Sequence, residues 1–328
     1  MRILIYGAGV IGSIIGGKLA ASGVDVTVLA RGHRLKELQD KGIVLLIPGS
    51  GQEEIIPVSV IEELSADDEY DYILVTMQRT QVEDVLPDLA SNCSKNIVFM
   101  VNTAGGYEHW MREIGEERLI AGFPSAGGER LDGRVTYFIG KGIMRLFQTT
   151  TFGEPNGIFK ERTRKLIRTM RRAGIPSVYC ANMDAWQKTH VAMVTSIGNA
   201  LYSFDCDNYA LSKSHETMGL MVRGIKEGLA VLQRLGLKTT PAKLTFLKLP
   251  TFLVTFAFEC FMPTRLAETV LAKHCKVAKS EMTKLQEEFD ALIALSKMPT
   301  PSIDKLKMDS RVSDVYNEMI DIENPTEK

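Results

Sequence analysis

Three groups of residues in this chain have types and spacing suited to chemistry. The first is Gly7-Ala8-Gly9-Val10-Ile11-Gly12, a G-x-G-x-x-G directly after the apolar run Arg2–Tyr6. Between a strand and a helix such a turn holds the pyrophosphate of a dinucleotide. Gly7 permits the tight bend, Gly9 lets the backbone approach without a Cβ in the way, and Gly12 lets the helix pack close to the sheet. The helix N-terminus adds amide donors and the positive end of its dipole. The second group lies where the ribose is read. An NAD site carries an acid there, about 20 residues past the glycines. Here Val26-Thr27-Val28-Leu29-Ala30 runs into Arg31, then His33 and Arg34, with no carboxylate. A guanidinium can grip a 2′-phosphate with two bonds, so Arg31 points to NADP(H). The third is Asn102, after the run Asn96–Val101, at the carboxyl end of a strand where open α/β sheets place their ligands. An Asn also suits a turn before Thr103-Ala104-Gly105-Gly106, and position alone leaves both readings open.

The elements that must position these residues fall into two unlike halves, 1–183 and 184–328. In the first, strand-like runs alternate with helix-like ones, as repeated βα units require. The strands are expected at Arg2–Tyr6, Asp25–Leu29, Ile43–Leu46, Tyr72–Thr76, Asn96–Val101 and Arg118–Gly122. Several are apolar without alternation, as in parallel strands covered on both faces. Crossover helices are expected at Ile11–Ser22, Arg34–Lys41 and Gln81–Ser91. Beyond Gly122, Val135–Ile139 and Ile143–Phe147 flank Gly140-Lys141-Gly142 and read as an antiparallel hairpin, followed by a helix at Ile158–Arg172 and a strand at Ser177–Cys180. From Asp184 onward helical patterns dominate: Asp184–Ser203, His215–Leu235, Pro241–Leu247, Thr264–Ala272 and Lys279–Leu295. Asp184 and Gln187 have the spacing of a capping box, and the stretch holding Pro299, Pro301 and Pro325 is expected to end as a frayed tail. The fold class is therefore α/β: an N-terminal Rossmann-type doubly wound sheet, an NADP-binding domain, followed by an all-helical C-terminal domain for substrate and closure.

Composition narrows the partners. The 328 residues carry 39 Lys plus Arg against 40 Asp plus Glu, so the net charge is −1, which gives no support to a nucleic-acid binder. Five separated cysteines without a C-x-x-C pair fit neither a zinc ribbon nor a disulfide framework and suit a reducing cytoplasm. The strongest apolar stretch, Leu249–Met262, is 14 residues broken by Pro250 and Glu259, too short for a membrane span. A buried helix, a lid, or the subunit contact of a homodimer are its open readings. The five histidines show no metal-ligand spacing, and there is no G-x-S-x-G elbow or Walker phosphate loop.

Four features together resemble the ketopantoate reductase family: Gly7–Gly12 with Arg31, Phe99-Met100-Val101-Asn102, Leu131-Asp132-Gly133, and Ala185-Trp186-Gln187-Lys188 opening the helical half. The resemblance spans nearly the whole chain in order and domain sizes. It implies a Rossmann domain that binds NADPH, a helical domain that closes over a small 2-oxo acid, and reduction of 2-dehydropantoate to pantoate on the way to pantothenate. It further implies that Lys188 bonds the ketone oxygen and donates a proton as hydride arrives, because alkoxide charge builds there and an ammonium can stabilise it. By the same resemblance Asn102 holds nicotinamide and substrate, and Glu281 and Thr269 contact substrate.

The departures fall in the pocket. Gln78 stands where the family has a cofactor-binding lysine, and Ala192 and Ser196 stand where it has asparagines one and two turns beyond Lys188. Asn199 returns to within about 20° of the Lys188 direction three turns along, so that Ser196 and Asn199 are the substrate contacts expected on this helix, and His190 falls roughly opposite. Two functions remain open: an NADPH-dependent reductase of 2-dehydropantoate or a related 2-oxo acid, and an NADP-binding sensor or interaction protein that has lost the chemistry.

Overall fold

The computed structural model describes residues 1–48, 50–139 and 149–311, and the chain divides into two compact units. The first comprises Met1–Asn102 and Gly106–Asp184; the second comprises Thr103–Gly105 and everything from Ala185.

The first unit is built on an eight-stranded sheet. In chain order its elements are β1 (Arg2–Tyr6), α1 (Val10–Ala21), β2 (Asp25–Leu29), α2 (Gly32–Lys41), β3 (Ile43–Leu46), β4 (Glu53–Ile56), β5 (Ser59–Ile61), β6 (Tyr72–Val75), α3 (Val82–Ser91), β7 (Ile97–Met100), α4 (Glu108–Ile114), β8 (Leu119–Phe123), β9 (Ala126–Leu131), β10 (Arg134–Ile139), β11 (Thr150–Gly153), α5 (Glu161–Arg172) and β12 (Ser177–Tyr179). The sheet order is β12-β11-β8-β7-β6-β1-β2-β5. From β5 to β8 every pair is parallel, which reproduces the 3-2-1-4-5-6 order of doubly wound nucleotide folds with its reversal between β1 and β6. The strands β1, β6 and β7 are buried almost throughout, so their apolar runs without alternation have two covered faces to fill.

One expectation fails in this unit. Ile43–Leu46 forms a strand but not in the parallel series; its place beside β2 is taken by Ser59–Ile61. Instead β3 joins a second, four-stranded sheet of order β4-β3-β10-β9, pairing antiparallel with β4 and parallel with β10. Gly17 on α1 explains the packing: a Cβ there would lie 3.0 to 3.2 Å from Leu45, Ile56 and Ile43 of that sheet. The hairpin expected around Gly140 has only its first strand among the described residues. The partner of Arg134–Ile139 is the preceding Ala126–Leu131, joined through Asp132 and Gly133. Both have positive φ, 48° and 78°, as a tight two-residue hairpin turn requires. The second strand expected at 143–147 lies outside the described residues.

Beneath the sheet a buried ion pair ties the unit together. The fully buried Glu154 carboxylate accepts from Arg162, Thr163 and Lys160, while Arg162 also donates to the carbonyls of Leu119 and Glu117. Burial works to raise this carboxyl, but the Arg162 and Thr163 bonds and the nearby cations outweigh it and hold it below its ordinary value.

The second unit is helical: α6 (Met183–Tyr202), α7 (Asn208–Ser212), α8 (His215–Arg234), a 3-10 segment at Ala242–Lys248, α9 (Thr251–Phe261), α10 (Arg265–Ala267), a π turn at Glu268–Ala272, α11 (Lys273–Val277) and α12 (Lys279–Ser296). Residues 301–311 are also helical, and the end of the chain expected to fray lies outside the described residues. Pro301 opens that helix without needing an N–H, and the Glu227 carboxylate accepts from the Ser302 and Ile303 amides at 2.9 and 3.1 Å. The expected Asp184 cap is also corrected: α6 begins at Met183, which puts Asp184 inside its first turn. The apolar segment forms α9, buried at Val254 and Thr255 but exposing Phe252 and Phe256, so the buried-helix reading holds for one face only. Among the described residues no single helix is long and apolar enough to cross a membrane; the 3-10 segment and α9 pass only as a pair bent by 114°.

The loop Thr103–Gly105 is pinned by α12. Glu288 Oε2 accepts from Thr103 Oγ1 at 2.9 Å, from the Ala104 amide at 2.8 Å and from the Gly105 amide at 3.1 Å. Four atoms thus fix the three residues that follow Asn102.

Candidate functional site

The glycine turn sits at the end of β1, where the strand order reverses. Gly7 has φ 114°, and a Cβ there would press on Met77 and the Thr76 carbonyl. The Thr76 hydroxyl donates to the Gly7 carbonyl at 2.8 Å, stitching the turn to the end of β6. Gly12 tolerates nothing: its Cβ would lie 2.0 Å from the Gly7 carbonyl oxygen and 2.7 Å from Thr76 Oγ1. Gly9 is different in kind. It is exposed, has φ −71° and ψ −166°, and a Cβ would meet no atom of the chain within 4 Å. Nothing in the protein demands glycine there, whereas a pyrophosphate lying against the backbone would. Ala8, Val10 and Ile11 complete the turn, and no acidic side chain stands in the first turn of α1 to repel an anion. These residues fit a dinucleotide.

Arg31 is the residue before α2 and keeps 62% of its side chain exposed, with one loose 3.8 Å pairing to Asp88. Arg34 is spent inside the protein. Its guanidinium donates to the Ala8 carbonyl at 3.3 Å, Ser13 Oγ at 2.9 Å, Glu37 at 3.0 Å and the Gly133 carbonyl at 3.4 Å. Burial and the neighbouring Arg130 charge lower its pKa, and the Glu37 carboxylate opposes that shift.

Gln78 follows the end of β6 and turns its side chain on its own chain. It caps the short turn Arg79–Gln81, while the Gln81 side chain returns a bond to the Gln78 amide at 3.3 Å. The cation beside it, Arg79, pairs with Glu83 at 2.8 Å and lies over Trp110, itself stacked on Phe99. At the end of β7, the Asn102 Oδ1 is buried and has no hydrogen-bond partner among the described residues. An acceptor left so costs about 1–3 kcal/mol, which a donor on a ligand would recover.

In the helical unit, Lys188 is half-buried on α6 between the buried Gln187 and Thr189. Trp186 stacks on His190 one turn on, with centroids 5.5 Å apart. Burial pushes the His190 imidazole down to about 4, with the His274 charge adding to the effect, so it is neutral at physiological pH. Of the residues named as substrate contacts, three are engaged elsewhere. The buried Ser196 donates to the Ala192 carbonyl, Thr269 is exposed and donates to the Arg265 carbonyl, and Asn199 donates to Gln286 at 3.0 Å. Glu281 lies in the first turn of α12 and is half-buried. Sequence reading missed Arg34 as a structural group and Glu288 altogether; their partners are too distant in sequence for spacing to show them.

Residues 3–150 match the family model described as ketopantoate reductase PanE/ApbA. A 2-dehydropantoate 2-reductase of Pyrococcus horikoshii is 26% identical over 239 residues, covering 73% of this chain and 75% of the relative. That of Mesorhizobium japonicum is 30% identical over 196 residues, 53% of this chain and 58% of the relative's length. Among solved structures, a 2-dehydropantoate 2-reductase from Geobacter metallireducens superposes with TM-score 0.77 at 17% identity, covering 95% of this chain and 100% of the other. D-mandelate dehydrogenase with NADH and anilino(oxo)acetate gives 0.76 at 16%, covering 96% and 99%. At such identity the superpositions show a shared fold. The family model thus assigns residues 3–150, the N-terminal part of the chain, to the ketopantoate reductase PanE/ApbA domain.

Proposed function

We propose that this protein is an NADPH-dependent reductase of a small 2-oxo acid, 2-dehydropantoate or a close relative. The observation that carries the reading is the open Cβ position of Gly9 beside an exposed Arg31 at the end of β2. Gly7, Ala8, Gly9, Val10, Ile11 and Gly12 would hold the pyrophosphate against the amides of α1, and Arg31 would grip the 2′-phosphate. When bound, the reduced nicotinamide supplies the hydride. Asn102 offers its buried, unpaired carbonyl oxygen to a ligand donor. Lys188 holds the proton that the ketone oxygen takes up, and its ammonium stabilises the developing alkoxide. Gln78, expected among the cofactor-binding residues at the end of β6, carries no charge, so Arg31 carries the preference for a phosphorylated ribose. Ser196 and Ala192 are buried within the helical unit, so the α6 face beyond Lys188 offers no amide to a hydroxyl until Asn199. That favours a substrate with fewer polar groups beyond the keto acid.

The test is NADPH oxidation with 2-dehydropantoate and a panel of branched and aromatic 2-oxo acids, repeated with NADH and with Lys188→Ala. The reading expects turnover that prefers NADPH and is lost in the variant, while NADPH binding stays within a few-fold of the parent. Turnover in Lys188→Ala equal to the parent, or equal use of NADH, would overturn it. Tight NADPH binding with no turnover anywhere would favour the sensor.

A further inference from the structure

We infer that Arg34 is a positioning residue for the cofactor, aiming the backbone of the glycine turn rather than touching the ribose phosphate. This rests on the dinucleotide reading above and divides two neighbouring arginines by task. The side chain of Arg34 is only 10% exposed, and its three nitrogens point to four partners. Nε reaches the Ala8 carbonyl at 3.3 Å, and the Ser13 hydroxyl lies 3.5 Å from the same oxygen. A trans peptide is planar, with its C=O and N–H on opposite sides. Holding the Ala8 carbonyl toward Arg34 therefore turns the Gly9 N–H away from Arg34. The Gly9 amide has no partner among the described residues, so it is available to a phosphate oxygen.

The charge balance supports the same division. Glu37 pairs with Arg34 at 3.0 Å, with His33 at 3.3 Å and with Arg130 at 3.8 Å, so the Arg34 charge is answered inside the protein. Among the described residues the Arg31 side chain has a single ion pair, the 3.8 Å contact to Asp88, and remains available for a dianion. Through Gly133, Arg34 also ties the turn to the β9–β10 hairpin, so one side chain braces the glycine turn against the second sheet.

The experiment compares parts of the cofactor. Affinities of NADPH, adenosine 5′-diphosphate and adenosine 2′-monophosphate are measured by fluorescence titration and displacement for the parent, Arg34→Gln, Arg34→Lys and Arg31→Gln. Thermal melts confirm folding. The inference expects Arg34→Gln to weaken NADPH and the 5′-diphosphate by on the order of tenfold, while the 2′-monophosphate changes less than about twofold. Arg31→Gln should show the mirror pattern. Arg34→Lys keeps the charge but cannot span the same partners, so it should lose most of the same affinity; it decides the matter if the Gln variant does not fold. Unchanged 5′-diphosphate binding in Arg34→Lys, or equal loss of both fragments in a folded variant, overturns the positioning role. If the parent binds neither NADPH nor NADH, the dinucleotide reading itself fails, a result distinct from both.

Discussion

Replacing Gly9 and Gly12 separately by alanine isolates what each glycine is for. At Gly9 the backbone conformation suits any L residue, and the new methyl meets nothing within 4 Å. Stability should hardly move: losing glycine at the start of a helix costs up to about 1 kcal/mol, and the stiffer unfolded chain returns about 0.4–1 kcal/mol. Binding should suffer, because the methyl stands where the pyrophosphate approaches. Loss of one or two hydrogen bonds to a charged phosphate, about 3 kcal/mol together, weakens NADPH by about a hundredfold. At Gly12 the methyl would lie 2.0 Å from the Gly7 carbonyl oxygen, inside buried backbone that cannot rotate away. Overpacking of that severity costs about 3 kcal/mol or more, enough to lower the melting temperature by roughly 6–12 °C. Differential scanning fluorimetry with NADPH titration reads both effects. If Gly9→Ala binds NADPH as the parent does, the open side of the turn is not the pyrophosphate site; if it melts as early as Gly12→Ala, the space around Gly9 has been misread.

Two further predictions concern pH. The Glu154 carboxyl is held below its ordinary 4.5, so its contribution to stability is present above that pH and lost as pH falls through the lower folded value. Glu154→Gln should cost about 3–5 kcal/mol near neutrality and flatten the fall in urea midpoint below pH 4.5; an unchanged acid limb would show that the pair with Arg162 is not what titrates. His190, pushed down to about 4, takes up its proton less readily folded than unfolded, so stability should decline as pH drops from about 6.5 toward 4. The His190 share of the decline is at most about 3 kcal/mol, and His190→Gln should remove that share, leaving the part that the likewise lowered His274 contributes. A variant that keeps the full slope in that window would assign the effect to another group.

Much of the fold was legible because its signals are local. β1, β2, β6 and β7 are short apolar runs whose ends the sequence marks to within two residues, and the long helices α6, α8 and α12 carry their own periodicity. What failed to read was partnership. Glu53–Ile56 and Ser59–Ile61 are short and partly exposed, with too few apolar residues to announce a strand, and Ile43–Leu46 looks the same in either sheet. The Asp132-Gly133 turn was visible as a motif, yet the strand before it, Ala126–Leu131, was not, because it is glycine-rich and polar. In the site, the three glycines declare themselves because their G-x-G-x-x-G spacing is local and directly follows a strand. Arg34 does not, since its Gly133 partner is 99 positions away. Whether Ser196, Thr269 and Asn199 face a ligand or their own helices depends on a rotamer that no spacing rule encodes.

The clamp that Glu288 places on Thr103–Gly105 has a consequence for how the protein is made. Those three residues leave the ribosome early, between β7 and α4, yet they belong to the unit whose remainder begins at Ala185. Their carboxylate partner follows as many as 185 positions later. At ordinary rates of synthesis that interval is roughly ten to forty seconds, during which the nascent sheet must carry an unclaimed turn beside Asn102. The chain is thus stitched rather than beaded: a ribosome stalled after the first sheet, or a truncation at residue 184, would release a sheet whose ligand-side loop has no anchor. Completion of the last long helix is the event that finishes the first.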